Sequence, residues 1–253
     1  MTYDWKATLV FFALMTAATL IGNFLIFRIP AFAQMREENR VVDRTKLDRS
    51  SFREAVQINN RVGLAVNLIF YVTVLPFCIG FDTRSFWGGA GEVAAAPLWW
   101  KLVQIPVVLL VFDFMYYWTH RSLFHGNLLR KVHALHHQAR KPTYVDALYV
   151  HPLETTIGLL LFLGSMPIVA AASGTTLDVF SMVVATYLFT QLNTLNHVYT
   201  RFPAKFPYGL IDYITGVHAA HHVDMNHGNY ATLTMFYDKL FGTFEEPVHR
   251  PNA

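Results

Sequence analysis

The chain has 253 residues, is 53% hydrophobic and only 15% charged, and carries a formal net charge of +3. A soluble globular domain has about a quarter charged residues, so this composition indicates a protein that lies largely in lipid. The small net charge, with no basic stripe along the sequence, argues against a nucleic-acid partner. The single cysteine, Cys78, excludes an internal disulfide and is expected to be a small buried apolar residue.

Five apolar stretches are long enough to cross a bilayer as helices, which takes about 20 residues each. The first is expected to be a retained anchor, because it lacks the small-residue cleavage site of a signal peptide. The short turn at 173–175 predicts a tight helical hairpin between the last two. The fold class is therefore all-α, an integral membrane bundle of four to five transmembrane helices. The predicted spans are residues 7–27, 62–81, 98–118, 155–172 and 177–196.

The loops between these predicted spans differ in charge. Residues 28–61 contain eight Lys or Arg residues, whereas residues 82–97 contain only Arg84. The positive-inside rule therefore places the first loop in the cytosol and the N-terminus outside. All the clustered histidines then lie on the cytosolic side. The basic loop itself is either an amphipathic surface helix or a solvated linker.

Twelve histidines are an unusual number, and most of them are clustered. One pair is separated by four residues, and the pattern HxxHH occurs twice. Because helical positions i, i+3 and i+4 share a face, each HxxHH triplet is expected to point three imidazoles at one place. Nine imidazoles are too many for one tetrahedral zinc, so the pattern predicts two metal ions of higher coordination. The predicted ligands are His120, His125, His133, His136, His137, His197, His218, His221 and His222.

Polar residues near these histidines are candidates for orienting them through their second ring nitrogen. Asp113 lies two helical turns before His120 on the same face, although a pair with another polar group is the alternative. His151 and Glu154 open the fourth predicted span, and His151 is alternatively a tenth ligand or a plain interfacial residue. Asn193 lies one helical turn before His197. The full candidate set is Asp113, His151, Glu154, Asn193, Asp224 and Asp238.

Five blocks of sequence occur in a consistent order: DFMYYWTHRSLFH, KVHALHHQARKPT, HPLE, HAAHH and NYATLTMFYDKLFGTF. Over about residues 100–245 they resemble the fatty acid hydroxylase/sterol desaturase superfamily of membrane di-iron enzymes. The resemblance implies a transmembrane stem with a cytosolic helical cap, in which the histidines hold two iron ions. It also implies oxidation of a lipid by dioxygen, through hydroxylation or desaturation. Zinc is expected as a substitute for iron in a purified sample.

Two features depart from that pattern. Hydroxylase relatives often have HxxxH before the last triplet, but here Asn193 takes the first position, which leaves the ligand count of one metal open. An HPGG haem-binding block is absent, so the electron donor is expected to be a separate cytochrome b5-like protein, ferredoxin or reductase. We expect residues 1–61 to form an anchor with a basic cytosolic loop, and residues 62–253 to form the stem and the catalytic domain.

Other classes of protein also use histidines in membranes. Transporters usually place their ligands near the membrane midplane, whereas these histidines lie at the predicted span ends. A bis-histidine haem protein needs only two or four histidines facing each other. A hydrolytic zinc site needs a nearby Glu base, as in HExxH, and neither triplet has one. A histidine-rich metal transporter or metal-binding protein is the alternative function. The lipid substrate is left open by the sequence.

Overall fold

The structure is a computed structural model that describes residues 3–45, 49–81, 98–144, 146–199 and 201–248. These residues are mostly helical, as predicted, with two short strands, β1 (Ile79–Gly80) and β2 (Leu177–Asp178). A π-helical turn covers His120–Phe124, and 3₁₀ turns cover His136–Gln138 and Asp146–Leu148. The α-helices are α1 (Trp5–Ile26), α2 (Pro30–Thr45), α3 (Arg49–Thr73), α4 (Leu75–Cys78), α5 (Leu98–Thr119), α6 (Arg130–His133), α7 (Pro152–Ser173), α8 (Val179–Asn196), α9 (Tyr208–Val223) and α10 (Phe236–Leu240).

Three of the described helices are long and apolar enough to cross a membrane: α1, α5 with its π-helical extension to Phe124, and α7. They correspond to the first, third and fourth predicted spans. The second and fifth predicted spans correspond to α3 and α8, which are not among these three. Helix α3 begins in charged sequence at Arg49, and the 18 residues of α8 include several hydroxyl and amide side chains. The number of four to five spans therefore stays a prediction.

The basic segment 28–61 is largely helical, so the linker alternative is wrong for its described residues. Helix α2 occupies Pro30–Thr45, and α3 continues through residue 61 to Thr73. The apolar side of α2 places Phe32 and Met35 against Val198 and Phe202, in the segment that follows α8. Burial of these side chains explains why so charged a sequence forms a helix on the surface of the bundle.

Helices α1, α3, α5, α7 and α8 pack around one apolar core. At its centre the rings of Phe162 and Phe189 stack with their centroids 3.9 Å apart, and Phe112 packs edge-on against both. Cys78 is buried in the same core, as the sequence predicts. The outward sides of these helices also carry large apolar side chains, which suits contact with lipid tails. Examples are Leu9, Phe12, Leu20, Phe114, Leu160, Ile168, Phe180 and Val184.

One end of the bundle is closed by the parallel pairing of β1 with β2. The predicted hairpin turn precedes β2, and Gly174 ends α7 there with a positive φ of 68°. Asp178 then caps α8 by accepting hydrogen bonds from Ser181, and its carboxylate lies 3.1 Å from the Lys101 ammonium near the start of α5. Because α5 and α8 both begin at this end, His120 and His197 follow them at the opposite end.

Asp178→Ala is expected to lower the free energy of unfolding by about 2–4 kcal/mol, because it removes the cap of α8 and leaves Lys101 without its ion-pair partner. Thermal and denaturant unfolding in detergent micelles, followed by circular dichroism, measures the change. Glu37→Ala is the control, since it removes only an exposed pair with Arg40 and should change stability by less than about 0.5 kcal/mol. Equal effects of the two substitutions would contradict the assigned role.

Candidate metal centre

Nine histidines converge at the end of the bundle away from β1 and β2. They form two clusters, and within each cluster one ring nitrogen per histidine lies within 4.8 Å of the corresponding nitrogens of the others. All are buried except His125, which is half-buried. These are the nine histidines that the sequence singles out. The first cluster comprises His120, His125, His133, His137 and His221, and the second comprises His136, His197, His218 and His222.

Each HxxHH triplet is divided between the two clusters, which corrects the expectation that a triplet points at one place. The first cluster takes the outer two histidines of the earlier triplet and the middle histidine of the later one, and the second cluster takes the reverse set. On a helix, position i+3 lies about 100° around the axis from position i+4, so the middle histidine faces sideways. The earlier triplet is also interrupted, because α6 ends at His133 and a 3₁₀ turn begins at His136. The triplets therefore bridge the two clusters.

A π-helical turn explains the spacing of the leading pair. The N–H of His125 donates to the carbonyl of His120 at 2.9 Å, which is the i to i+5 bond of a π-helix. Five residues along an α-helix would place the two side chains about 140° apart around the axis. The wider turn instead brings their Nε2 atoms to 3.2 Å from each other. The sequence contained this spacing but gave no sign of the π-helix.

A single loop after α9, residues 225–231, orients three histidines of the first cluster, and we call it the carbonyl loop. Each of these histidines donates its Nδ1 proton to a different backbone carbonyl of the loop. The arrangement fixes both the rotation and the tautomer of each ring. The three bonds, each 2.7 Å long, run from His125 to Met225, from His221 to Gly228 and from His120 to Tyr230.

A buried carboxylate, that of Asp238, holds the carbonyl loop in place. It accepts from the backbone N–H groups of Tyr230 and Ala231, both at 2.8 Å. This contact is indirect support for His120, which donates to the Tyr230 carbonyl. Gly228 also has a steric role, since a Cβ there would lie 1.9 Å from the backbone oxygen of Thr243.

Asp113 does not pair with a histidine, which corrects the sequence-based expectation. Its carboxylate accepts from the backbone N–H groups of Thr232, Leu233 and Thr234 at 2.9–3.1 Å, and from the Thr234 hydroxyl at 2.6 Å. The residue faces the chain that continues from the carbonyl loop. This matches the stated alternative, a pair with other polar groups, and makes Asp113 an anchor for the loop.

Two other candidates do orient histidines. The Glu154 carboxylate accepts the Nδ1 proton of His133 at 2.8 Å. Asn193 acts through its backbone, because its carbonyl accepts from Nδ1 of His197 at 2.7 Å. A carboxylate or carbonyl on the second nitrogen of a ligand histidine is the usual arrangement in metal sites.

His151 and Asp224 have other roles. His151 is exposed, and its Nδ1 accepts the Leu153 N–H at the start of α7. Asp224 is half-buried at the chain surface, where it accepts from the backbone and side chain of Asn226. Within the described part of the chain neither is hydrogen-bonded to a clustered histidine. The expectation that they support ligands is therefore wrong, and His151 instead caps the start of α7.

The chemistry of these nitrogens fits bound metal ions. Burial lowers the pKa of His125 to about 4 and that of His221 to about 3, so both rings are neutral near pH 7. A carbonyl oxygen only accepts, so the single proton of each ring is on Nδ1 and a lone pair is left on Nε2. These Nε2 atoms each lie 3.2 Å from Nε2 of His120, whose Nδ1 is held in the same way. Lone pairs so close repel one another unless a cation lies between them.

The second cluster fits a metal for the same reason. Nε2 of His136 lies 3.0 Å from Nε2 of His197, and the other nitrogen of each ring lies near a backbone carbonyl. Neither ring nitrogen of His222 has a hydrogen-bond partner among the described residues, although the side chain is buried. Buried nitrogens without hydrogen-bond partners are costly in a native structure, so the unpartnered nitrogens of this cluster indicate metal binding.

A cavity of about 580 Å³ lies beside both clusters, between α3, α5, α7 and α8. Leu64, Phe112, Leu159 and Phe189 give it apolar walls. Leu64 is 59% exposed, so the cavity reaches the outer surface of α3. Histidines of both clusters also line the cavity, namely His120, His133, His136, His197, His218 and His221.

Asn59 positions one wall of this cavity and was missed by sequence reasoning. Its side-chain amide donates to the carbonyls of Leu148 and Val150 at 3.1 and 2.7 Å, and its oxygen accepts from the Thr155 hydroxyl at 2.6 Å. These bonds join α3 to the start of α7, next to Glu154. A lone asparagine in a polar stretch of sequence has no pattern that would reveal such contacts.

Buried histidine clusters at one end of apolar helices define the chain as a membrane protein with a metal-binding site. The sequence profile of the fatty acid hydroxylase family matches residues 105–243, which is more than half of the chain. The chain therefore belongs to the fatty acid hydroxylase family, within the superfamily that the sequence blocks resemble. No solved structure matches it significantly.

Several curated proteins are similar to the chain. Protein CER1-like 2 of Arabidopsis thaliana is 29% identical over 71% of this chain and 28% of its own length. Methylsterol monooxygenase 1 of Rattus norvegicus is 24% identical over 69% of this chain and 58% of its own length. Very-long-chain aldehyde decarbonylase GL1-10 of rice, Oryza sativa subsp. japonica, is 28% identical over 94% of this chain and 75% of its own length. The chain thus spans only 28% and 58% of the first two of these relatives.

His136→Ala and His221→Ala are each expected to lower the bound metal by roughly half, because each removes a ligand from a different cluster. Metal analysis of the purified proteins by mass spectrometry measures this loss. His151→Ala and His227→Ala are matched controls, since both histidines are exposed or half-exposed surface residues outside the clusters. Full metal content in both cluster variants would contradict the assignment of these nitrogens as ligands.

Asp113→Ala is expected to destabilise the protein by about 3 kcal/mol or more and to lower metal content, although it removes no predicted ligand. The substitution leaves three buried or part-buried backbone N–H groups without their acceptor, and each unsatisfied group costs about 1–3 kcal/mol. Unfolding in micelles and metal analysis test both effects. Asp224→Ala is the control with little effect on either measurement. Wild-type behaviour of Asp113→Ala would show that the loop needs no such anchor.

Proposed function

We propose that the chain is a membrane-bound di-iron oxygenase that hydroxylates or desaturates a lipid, with dioxygen and electrons from a separate donor. The observation that carries this proposal is the convergence of nine imidazoles in two adjacent clusters beside a largely apolar cavity. Relatives named as a methylsterol monooxygenase and as a very-long-chain aldehyde decarbonylase support a lipid substrate and oxidative chemistry. They leave two substrate types open, a sterol-like alcohol and a long-chain aldehyde.

The residues that would hold the metals are the five histidines of the first cluster and the four of the second. Neutral imidazoles suit iron as well as zinc and copper, and the oxidative chemistry of the relatives favours iron. When bound, a pair of iron ions supplies the activation of dioxygen and the removal of hydrogen from an unactivated C–H bond. Asn193, one helical turn before His197, stands where the family often has another histidine, so the second cluster is the one with an open ligand count.

The rest of the site keeps the imidazoles ready for metal. The carbonyl loop and Glu154 hold the Nδ1 protons of four rings and thereby direct the Nε2 lone pairs inward. The rings of Phe112 and Phe189 form an apolar wall of the cavity next to the histidines. Such a wall limits water near the reacting group and favours an apolar lipid in the cavity.

We further propose that the clusters lie at the cytosolic face and that the N-terminus lies outside. The support is that α2, in the described part of the basic segment, packs against Val198 and Phe202 at the same end of the bundle as the clusters. Helices α3 and α8 would add to the three apolar helices to give the four to five spans. Exposed apolar residues of α3, such as Ile69 and Val72, and of α8, such as Val184, support contact with lipid. The mouth of the cavity beside Leu64 would then admit a lipid sideways from the bilayer.

The external electron donor of the proposal is a cytochrome b5-like protein, a ferredoxin or a reductase. Of the nine clustered histidines, His125 is half-buried and the other eight are buried. Electrons from the donor would therefore have their shortest path to the metals on the His125 side.

The test uses iron-loaded protein in nanodiscs made from lipid extract, with a chemical reductant and ¹⁸O₂. We expect dioxygen-dependent formation of oxidised or desaturated lipid, detected by mass spectrometry, with ¹⁸O in any hydroxylated product. His136→Ala is expected to lower turnover by at least about a hundredfold, since it removes a metal ligand. His151→Ala should leave turnover unchanged.

Two results would contradict the proposal. One is tightly bound zinc with turnover that does not need dioxygen, which would indicate a hydrolase. The other is metal uptake into sealed vesicles by the wild type but not by His136→Ala, with no lipid product in either case. That outcome would support the metal transporter considered above.

A further inference from the structure

Two rows of side chains on neighbouring helices line the cavity in the same order. Each row has a phenylalanine, then a polar residue, then a clustered histidine, at intervals of four residues. The rows are Phe112, Tyr116 and His120 along α5 and its π-helical extension, and Phe189, Asn193 and His197 along α8. Residues four apart lie on one side of a helix, and both helices run toward the clusters. The rows therefore give the cavity three levels about 6 Å apart, which we call the phenylalanine level, the polar level and the histidine level.

The phenylalanine level is apolar and closed between the two helices. The rings of Phe112 and Phe189 meet edge-on with their centroids 4.9 Å apart. Leu159 from α7 and Leu64 from α3 add further apolar walls to the cavity, and Leu64 marks its opening toward the outside of the bundle. Hydrocarbon fits such walls, because it makes no hydrogen bonds that it would lose there. These walls therefore suit the apolar part of a lipid.

The polar level holds two polar groups that lack a partner in the described part of the chain. Tyr116 and Asn193 are both half-buried. No described residue is hydrogen-bonded to the Tyr116 hydroxyl or to the Asn193 side-chain amide. The hydroxyls of Thr190 and Thr194, beside Asn193, instead donate to carbonyls of their own helix at 2.9 and 2.8 Å. Asn193 orients His197 through its backbone carbonyl, so its amide group is left for a ligand of the cavity.

We propose that Asn193 and Tyr116 bind the oxygen-bearing end of the lipid, which therefore points toward the clusters while the hydrocarbon leaves past Leu64. An amide and a phenol hydroxyl can each donate and accept hydrogen bonds, so together they suit a hydroxyl or a carbonyl. Both substrate types left open above have such an end. The carbons beside the oxygen are then the ones nearest the histidine level. The inference rests on the proposed function for its site and adds the direction in which the lipid lies.

Photolabelling of zinc-loaded protein in nanodiscs tests this direction without turnover. The probes are two octadecanol analogues that carry a diazirine, one close to the hydroxyl and the other at the methyl end. On illumination the diazirine forms a carbene that inserts into the nearest side chain, and tandem mass spectrometry of the peptides locates the insertion. We expect the hydroxyl-end probe to label Tyr116 or Asn193 and the methyl-end probe to label neither. Excess octadecanol should abolish the specific labelling.

Asn193→Leu and Tyr116→Phe test whether these two groups hold the lipid. Each removes one neutral hydrogen bond, so the concentration of the hydroxyl-end probe that half-saturates total labelling should rise roughly threefold to tenfold. Zinc content should stay at the wild-type level, since the backbone carbonyl that orients His197 remains. Gln191→Leu is the matched control on α8, because that amide bonds Asn23 of α1 and is not among the residues that line the cavity. It should leave half-saturation unchanged.

Three labelling results would overturn the inference: labelling of Tyr116 or Asn193 by the methyl-end probe, labelling of neither residue by the hydroxyl-end probe, or half-saturation that both variants leave unchanged. Loss of zinc in Asn193→Leu would also overturn it, because the amide would then be a metal ligand. The proposed function fails separately. The expected labelling, in a protein that oxidises no lipid when loaded with iron, would overturn only that function. Dioxygen-dependent lipid oxidation together with the reverse labelling would overturn only the inference.

Discussion

The histidine centre depends on hydrogen bonds made by the ring nitrogens that point away from it. Backbone carbonyls and one carboxylate take the Nδ1 protons, and this leaves lone pairs on Nε2 atoms that face one another at about 3 Å. The facing lone pairs repel one another, whereas a cation bound between them attracts all of them. Metal binding and the ordering of this end of the bundle should therefore be coupled, as they are where a site is assembled from distant parts of a chain.

The carbonyl loop makes this coupling concrete. Its three carbonyls accept from rings at the two ends of the π-helical turn and from one ring of α9, so one loop aligns two elements that are far apart in the chain. Asp113 and Asp238 hold the loop through backbone N–H groups rather than through the histidines themselves. Both acids thus act on the centre indirectly. Their contribution is to the shape of the chain that carries the acceptors.

Glu154 connects the centre to the cavity. It lies at the start of α7, where Asn59 ties α3 to the neighbouring residues, and the same region forms a wall of the cavity. A lipid in the cavity would therefore lie against a residue that also holds His133 in place. Such coupling is expected where binding and chemistry share one buried volume, since a displacement of about 1 Å in either part disturbs the other.

The sequence by itself determined the membrane character, the three most apolar helices, the hairpin after α7 and all nine clustered histidines. Each of these depends on runs or spacings within a few residues, which local composition and helical periodicity reveal. The tertiary structure decided how the triplets divide, why His120 and His125 can meet, and which groups orient the rings. The acceptors for those two rings lie 110 and 100 residues away along the chain, at Tyr230 and Met225. They are backbone carbonyls, which every residue has, so no side-chain pattern marks them and only folding brings them to the site.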